Sequence, residues 1–280
     1  MKKMMLAVMA ALCLAASPLA AGELQGVEPA PGEAGGAYTN SLGMLFKPVP
    51  AGTFLMGSPG DEAGRDMDES LHRVTISQRF YIQATEVTQG QWQAVMGSNP
   101  SRFTLCGPDC PVETVSWDEV QLFINRLNLR TGQNYRLPTE AEFEYAARAG
   151  ASTAFGNGGI TETACDYDPV LDAMGWYCYN AGETTHPVAG KLANGWGLYD
   201  MHGNVWEWCA DAWDGSDYGA VPATDPVSPT PGENRVIRGG SWENDAWFTR
   251  AANRDWCKPF YRNDLVGFRL VLPIIKGGTR

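Results

Sequence analysis

Histidine is scarce in this 280-residue chain. Its three copies, His72, His186 and His202, are scattered, with no HExxH or facial-triad spacing. Histidine-built metal catalysis is thereby excluded, and the three read as structural or surface groups. A glycine-rich phosphate cradle and a nucleophile elbow are missing too. After residue 21 no apolar run approaches the ~20 residues that a membrane helix needs. Positive charge is in the minority, with 21 Lys and Arg against 32 Asp and Glu, giving a net charge of -11 and a pI near 4.7. Such a surface repels phosphate backbones and anionic lipid. Nucleic acid and membranes are therefore not expected as partners, whereas calcium or a neutral or cationic ligand suits the charge.

The N-terminus has a different character. MKKMMLAVMAALCLAASPLAAGE carries Lys2 and Lys3, an apolar run from Met4 to Ala16, and small residues at Ala20 and Ala21. This is the pattern of a secretory signal over residues 1–21. Leu12 before Cys13 is not the small residue that lipoprotein processing wants, so a soluble, periplasmic or secreted protein is expected. Residues 22–39, rich in Gly, Pro, Ala and Glu, read as a flexible leader. With no second linker and no internal repeat, residues 40–273 read as one domain, a monomer, followed by a tail at 274–280. Of the seven cysteines, Cys13 would leave with the signal, and Cys106, Cys110, Cys165, Cys178, Cys209 and Cys257 remain. An even set in an oxidising compartment favours disulfides. Spacing singles out only the pair in CGPDC, Cys106 with Cys110. Zinc is the competing reading there, but no second pair follows at ligand spacing.

Three helices announce themselves by capping boxes. Thr88 with Gln91 opens TEVTQGQWQAVMG, which Gly97 stops. Ser116 with Glu119 opens VSWDEVQLFINRLN, whose Val120, Phe123, Ile124 and Leu127 share one face. Thr139 with Glu142 opens RLPTEAEFEYAARAG, with Phe143, Ala146 and Ala147 inward and Gly150 closing it. Strand-like runs precede them in MLFKPVPAGTFLMGS and HRVTISQRFYIQATEVT, and VGFRLVLP ends the chain in the same style. Between Gly150 and that last run the pattern dissolves into short pieces rich in Gly, Trp, Tyr, Asn and Asp. Their backbone groups must be satisfied by side chains, disulfides or bound ions. The class is α+β with a large irregular portion.

Several phrases, in order, resemble the formylglycine-generating enzyme (sulfatase-modifying factor) family: GTFLMGS, EVTQGQW, PVETVSW, RLPTEAEFEYAARAG, GWGLYDMHGNVWEW, RVIRGGSW and VGFRLV. The resemblance spans residues 40 to 273. It implies a variant of the C-type lectin fold, but not one function, because relatives include copper-dependent sulfatase activators, ergothioneine- and pyoverdine-pathway proteins and variable ligand-binding proteins.

The resemblance also assigns residues. Asp200, Gly203, Val205 and Glu207 in DMHGNVWE match positions that bind structural calcium, and two carboxylates around a glycine turn offer the oxygens this ion takes. Asn180 and Gly182 match a second calcium site loosely. Trp206 and Ser241 match positions beside the reactive centre, with Asn244 and Arg254 completing the candidate pocket. Activators carry two cysteines after GGS that bind copper. Here the segment SWENDAWFTRAANR has none, Asn244 standing nearest the first position. Thiolates select Cu(I), so copper is not expected. Cys257, in DWCKPFY, offers one candidate reactive thiol, but a lone thiol cannot reproduce two-coordinate copper, and disulfide pairing is the simpler account in an oxidising compartment. Two functions follow. One is an oxidoreductase-like maturation factor acting on a protein or peptide-derived substrate without the copper cysteines. The other is a calcium-stabilised module presenting Trp242, Trp247, Phe248, Trp256, Phe260 and Tyr261 to a protein, peptide or small-molecule ligand.

Overall fold

A computed structural model describes residues 36–213, 215, 221–228 and 232–274. The expected signal, the leader as far as residue 35, and residues 275–280 of the tail lie outside the described residues. All three capping boxes form. Thr88 and Gln91 exchange side-chain and backbone bonds before α1 (Gln89–Met96). Ser116 and Glu119 do so before α2 (Trp117–Thr131), and Thr139 and Glu142 before α3 (Glu140–Arg148). Gly97 and Gly132 end α1 and α2 in the left-handed conformation, where glycine has no Cβ penalty. At α3 the expectation shifts by one residue. Ala149 is the left-handed cap at φ 47°, its N–H reaching the Tyr145 carbonyl, and Gly150 follows at φ 92°. A fourth helix, α4 (Pro169–Met174), lies in the stretch read as irregular. Asp168 accepts from Val170 N and Leu171 N, and Pro169 opens the first turn, but six residues are too few for an apolar stripe to show.

The strands are β1 (Tyr38–Thr39), β2 (Leu45–Val49), β3 (Gly52–Met56), β4 (His72–Ile76), β5 (Phe80–Gln83), β6 (Trp206–Trp213), β7 (Ala223–Thr224), β8 (Asn234–Arg238), β9 (Asp255–Cys257), β10 (Val266–Gly267) and β11 (Val271–Pro273). They form three sheets, ordered β1-β2-β5-β11, β10-β6-β8-β9 and β3-β4-β7. β1 lies inside the expected leader yet already pairs with β2. The first sheet joins the two ends of the described chain, since β11 pairs antiparallel with β5. Trp92 of α1 stacks on Phe123 of α2 with ring centroids 5.1 Å apart, and Phe268 meets Phe123 edge-on at 5.3 Å. Burying such rings supplies the main stabilisation of this half.

Helix α3 is buried on every side, its charged residues included. Charge pairing permits this. Arg148 and Arg238 bond Glu144, Arg254 bonds Glu140, and Arg136 grips Glu142 with two nitrogens. A buried charge without such partners would cost several kcal/mol. Asp211 of β6, against the start of this helix, is buried without such a pairing. Its oxygens accept from Glu140 N and Ser228 N, both at 2.8 Å, and no cation among the described residues bonds it. Burial, and then the neighbouring Glu140 charge, push its carboxyl from 3.8 up to about 7. Because the folded value lies above the unfolded one, folding takes up a proton between those limits. Stability from this group therefore falls as pH rises through that window. Asp211→Asn should flatten the dependence of unfolding free energy on pH between pH 4 and 7. Equal slopes for the variant and the parent in urea titrations would show that Asp211 is not responsible.

Candidate functional site

The turn after Tyr199 is built by left-handed backbone. Asp200 has φ 56°, Gly203 φ 120° and Asn204 φ 69°. Only glycine fits at 203, because a Cβ there would lie 2.2 Å from the Trp176 carbonyl oxygen. The turn delivers the chain to β6, where Glu207 is fully buried and binds Arg269 through Nε and Nη2, each at 2.7 Å. Asp200 accepts the Ala189 N–H at 2.7 Å through Oδ2, while its Oδ1 is buried with no partner. Facing it is Glu86, between β5 and α1, fully buried, whose carboxylate oxygens accept from no N–H or hydroxyl donor among the described residues and lie close enough to Asp200 for the two carboxyls to share a proton. Sequence reasoning passed over Glu86, although it sits in EVTQGQW; nothing in its local pattern marks it as facing another acid.

These groups leave a charge imbalance. Three buried carboxylates, Glu86, Asp200 and Glu207, face one guanidinium, Arg269, so the surplus is two negative charges. Burial, then the Asp200 and Glu207 charges, hold the Glu86 carboxyl well above the usual range, and burial raises Asp200 to about 6. Orphaned buried oxygens demand an explanation, because each forfeits its hydration. The surplus calls for one divalent cation or two protons. Hard oxygen donors suit calcium, and the free oxygens belong to Asp200 and Glu86 rather than to Glu207, which Arg269 already engages.

The candidate pocket lies along the segment after β8. Gly239 and Gly240 both take positive φ, and a Cβ on Gly240 would meet Thr249 Cγ2 at 2.6 Å. This close approach buries Ser241, whose Oγ donates to Asn244 Oδ1 at 2.6 Å while its N–H bonds the same oxygen at 3.0 Å. Thr249 turns inward to the Ala246 carbonyl, and His202 Nδ1 reaches the Thr249 carbonyl at 2.8 Å. Asn244 and Thr249 thus serve as local hydrogen-bonding groups of the turn. Trp206 opens β6, nearly buried, with Phe248 edge-on to it at 6.4 Å.

Arg254 is not part of this group. It bonds both Glu140 oxygens and stands over the Trp213 ring. Asn180 is also committed elsewhere, since its amide donates to Asp172 and to the Gly175 carbonyl and its oxygen accepts Tyr177 N–H. Gly182 takes φ 61° in the same loop. Among the six aromatic residues expected on the surface, Trp242 is buried and Phe248 packs against the core. Trp256, Phe260 and Tyr261 are the exposed ones, at 44, 69 and 49%.

Cys106–Cys110 and Cys165–Cys178 are disulfides, with Cα–Cα distances of 5.9 and 5.6 Å, while Cys209 and Cys257 are free thiols. They stand on β6 and β9, separated by β8. Burial raises both thiols, Cys209 well above its usual value, so neither is held as a ready thiolate. Alkylation of the native, unreduced protein should label Cys257 slowly and Cys209 only after denaturation. Labelling of Cys106 or Cys165 in peptide mass spectra without a reductant would contradict the bonding found.

The model of the sulfatase-modifying factor enzyme 1-like domain matches residues 43–274. The formylglycine-generating enzyme of Bos taurus is 28% identical over 280 residues, covering 79% of this chain and 73% of its own length. A chaperone protein, LppX of Paenibacillus barcinonensis, is 33% identical over 222 residues, covering 60% of this chain and 71% of its own. The structure of PvdO from Pseudomonas aeruginosa superposes with a TM-score of 0.75 at 31% identity, over 86% of this chain and 98% of that one. The chain therefore belongs to the sulfatase-modifying factor (formylglycine-generating enzyme) family, and its loop-rich α+β architecture is the family's C-type-lectin-like fold.

Proposed function

We propose that this protein is an exported maturation factor that acts on a protein or peptide-derived substrate at the pocket of Trp206, Ser241 and Asn244, by a route that uses no copper held between thiolates. The observation that carries this reading is the closed Ser241–Asn244 turn. The double-glycine approach is built, but Asn244, nearest the first position expected for a thiol, and Thr249 further along the same segment are both engaged in hydrogen bonds within the turn. The names of the family and of a relative support the substrate class, because the matching domain is described as sulfatase-modifying and one relative is named a chaperone protein. Calcium belongs to the proposal as a structural ion. Asp200 and Glu86 supply the unsatisfied oxygens, and the carbonyls of Gly203 and Val205, matched by the family resemblance, are the further ligands proposed. The ion would neutralise the buried surplus and fix the turn that feeds Trp206 into β6.

A second reading, a non-catalytic binding module, is favoured by one observation: Trp256, Phe260 and Tyr261 are exposed within six positions of one another in sequence. Complementation separates the two. In a strain lacking the protein, an exported protein should show an altered mass, which the parent chain restores. Ser241→Ala should restore it at least tenfold less well, as expected when a group acting at the reacting centre is removed, whereas Trp256→Ala with Phe260→Ala should restore it fully. The reverse pattern would support the binding module. The purified protein supplied with copper, oxygen and a reductant should also leave the cysteine of a CxPxR peptide unconverted. Copper-dependent aldehyde formation, trapped with a hydrazine probe above a no-enzyme control, would overturn this.

A further inference from the structure

The Cys165–Cys178 bridge is not isolated from the candidate pocket. Cys178 N donates to the Asn244 carbonyl at 3.1 Å, Ala246 N to the Ala164 carbonyl at 3.3 Å, and Trp247 N to the Thr163 carbonyl at 3.1 Å. The two strips that carry the sulfurs are therefore stitched to residues 244–247. Asp245 precedes the 3-10 turn Ala246–Thr249, the place where an aspartate normally caps, yet its side chain makes no cap bond. Its Oδ1 instead lies 3.7 Å from Cys178 Sγ. A carboxylate facing a closed disulfide finds no donor there. Together the two sulfurs and an Asp245 oxygen lie within 4.8 Å of one another, with Cys165 exposed to solvent. The other bridge, Cys106–Cys110, has no carboxylate in such a cluster among the described residues.

We infer that Cys165, Cys178 and Asp245 form a redox-gated site for a thiophilic divalent cation. With the bridge closed the sulfurs are spent. Two thiols of a small-molecule or protein reductant open it, each sulfur of the bridge gaining one electron and one proton, and the reductant leaves as its own disulfide. A cation such as zinc then displaces the two thiol protons and takes two thiolates, the carboxylate and a water in tetrahedral array. That geometry needs sulfurs about 2.3 Å from the metal, hence roughly 3.8 Å apart, which the exposed Cys165 loop can supply by a small movement. The backbone bonds from these strips to residues 244–247 couple the state of the site to the Ser241–Asn244 turn. This inference does not rest on the proposed maturation role.

Cobalt(II) is the probe, because thiolate ligation gives it near-ultraviolet charge-transfer bands and intense visible bands. The mature full-length chain, reduced and freed of reductant without air, should bind one Co2+ per chain with thiolate bands, and Zn2+ should displace it. The unreduced chain should show neither. Cys106→Ser with Cys110→Ser should retain the spectrum, and Cys165→Ser with Cys178→Ser should abolish it. Asp245→Asn keeps both thiols and the fold and should weaken binding at least about tenfold, since even an outer-shell partner is worth that much. Thiolate bands that survive in the Cys165/Cys178 variant, or a reduced parent chain without them, would overturn the inference. An Asp245→Asn affinity equal to that of the parent would remove the carboxylate from it.

Discussion

Arg269 and the acids around it hold the irregular half of this protein to the regular half. Its guanidinium is fully buried; it grips Glu207 of β6 and also bonds the carbonyls of Gln83, Ala84, Tyr199 and Asp200. One side chain thus ties the end of β5, the turn before β6, and its own segment ahead of β11. Arginine suits this because its five fixed N–H donors can satisfy several carbonyls that no ladder reaches. Arg250 does the same for the loop after β3, binding Glu62, Glu69 and the Gly64 carbonyl, and Arg238 links β8 to Glu144 of α3 and the Asn253 carbonyl. All three arginines are among the largest fully buried side chains. A chain with few long strands has many backbone groups to satisfy, and here buried charge takes over part of that task.

Such a framework constrains the site. Ser241 sits where β8 hands the chain to two left-handed glycines, and Trp206 sits where the left-handed turn of Asp200, Gly203 and Asn204 hands it to β6. Both hand-overs are anchored by buried ion pairs, Arg238 with Glu144 and Arg269 with Glu207. The pocket residues therefore inherit their positions from charges outside the pocket. This explains how the Ser241–Asn244 turn can keep its shape with no thiol in it. Hydrogen bonds from Ser241 to Asn244 and from Thr249 to the Ala246 carbonyl hold the turn from within.

Much of this was legible in the sequence. The capping boxes at Thr88, Ser116 and Thr139 depend on neighbours three residues apart, so local spacing reveals them, and the α2 face of Val120, Phe123, Ile124 and Leu127 depends only on helical period. The residues that escaped depend on distant partners. Nothing local says that Arg254 would pair with Glu140, more than a hundred positions away, instead of joining Ser241, or that Asn180 would close its own loop. Glu86 follows a strand and precedes a helix, as a solvated acid often does, and only the fold reveals that it faces Asp200. Trp242 and Phe248 lie in an aromatic-rich stretch that reads as a surface patch, but the double-glycine turn folds them inward.

Three buried carboxylates, Glu86, Asp200 and Glu207, gathered around one guanidinium are the feature on which the rest of the framework turns, and thermal melting with and without a calcium chelator tests directly whether the proposed cation, rather than protons, balances them. Calcium at 100 times its dissociation constant adds roughly 2.7 kcal/mol when it binds only the native state, which for a domain of this size moves the midpoint by several degrees. The parent chain should melt lower in chelator, and Glu86→Gln with Asp200→Asn should lose that response. A parent midpoint indifferent to the chelator, or a double variant that responds as the parent does, would contradict a divalent cation at these two carboxylates.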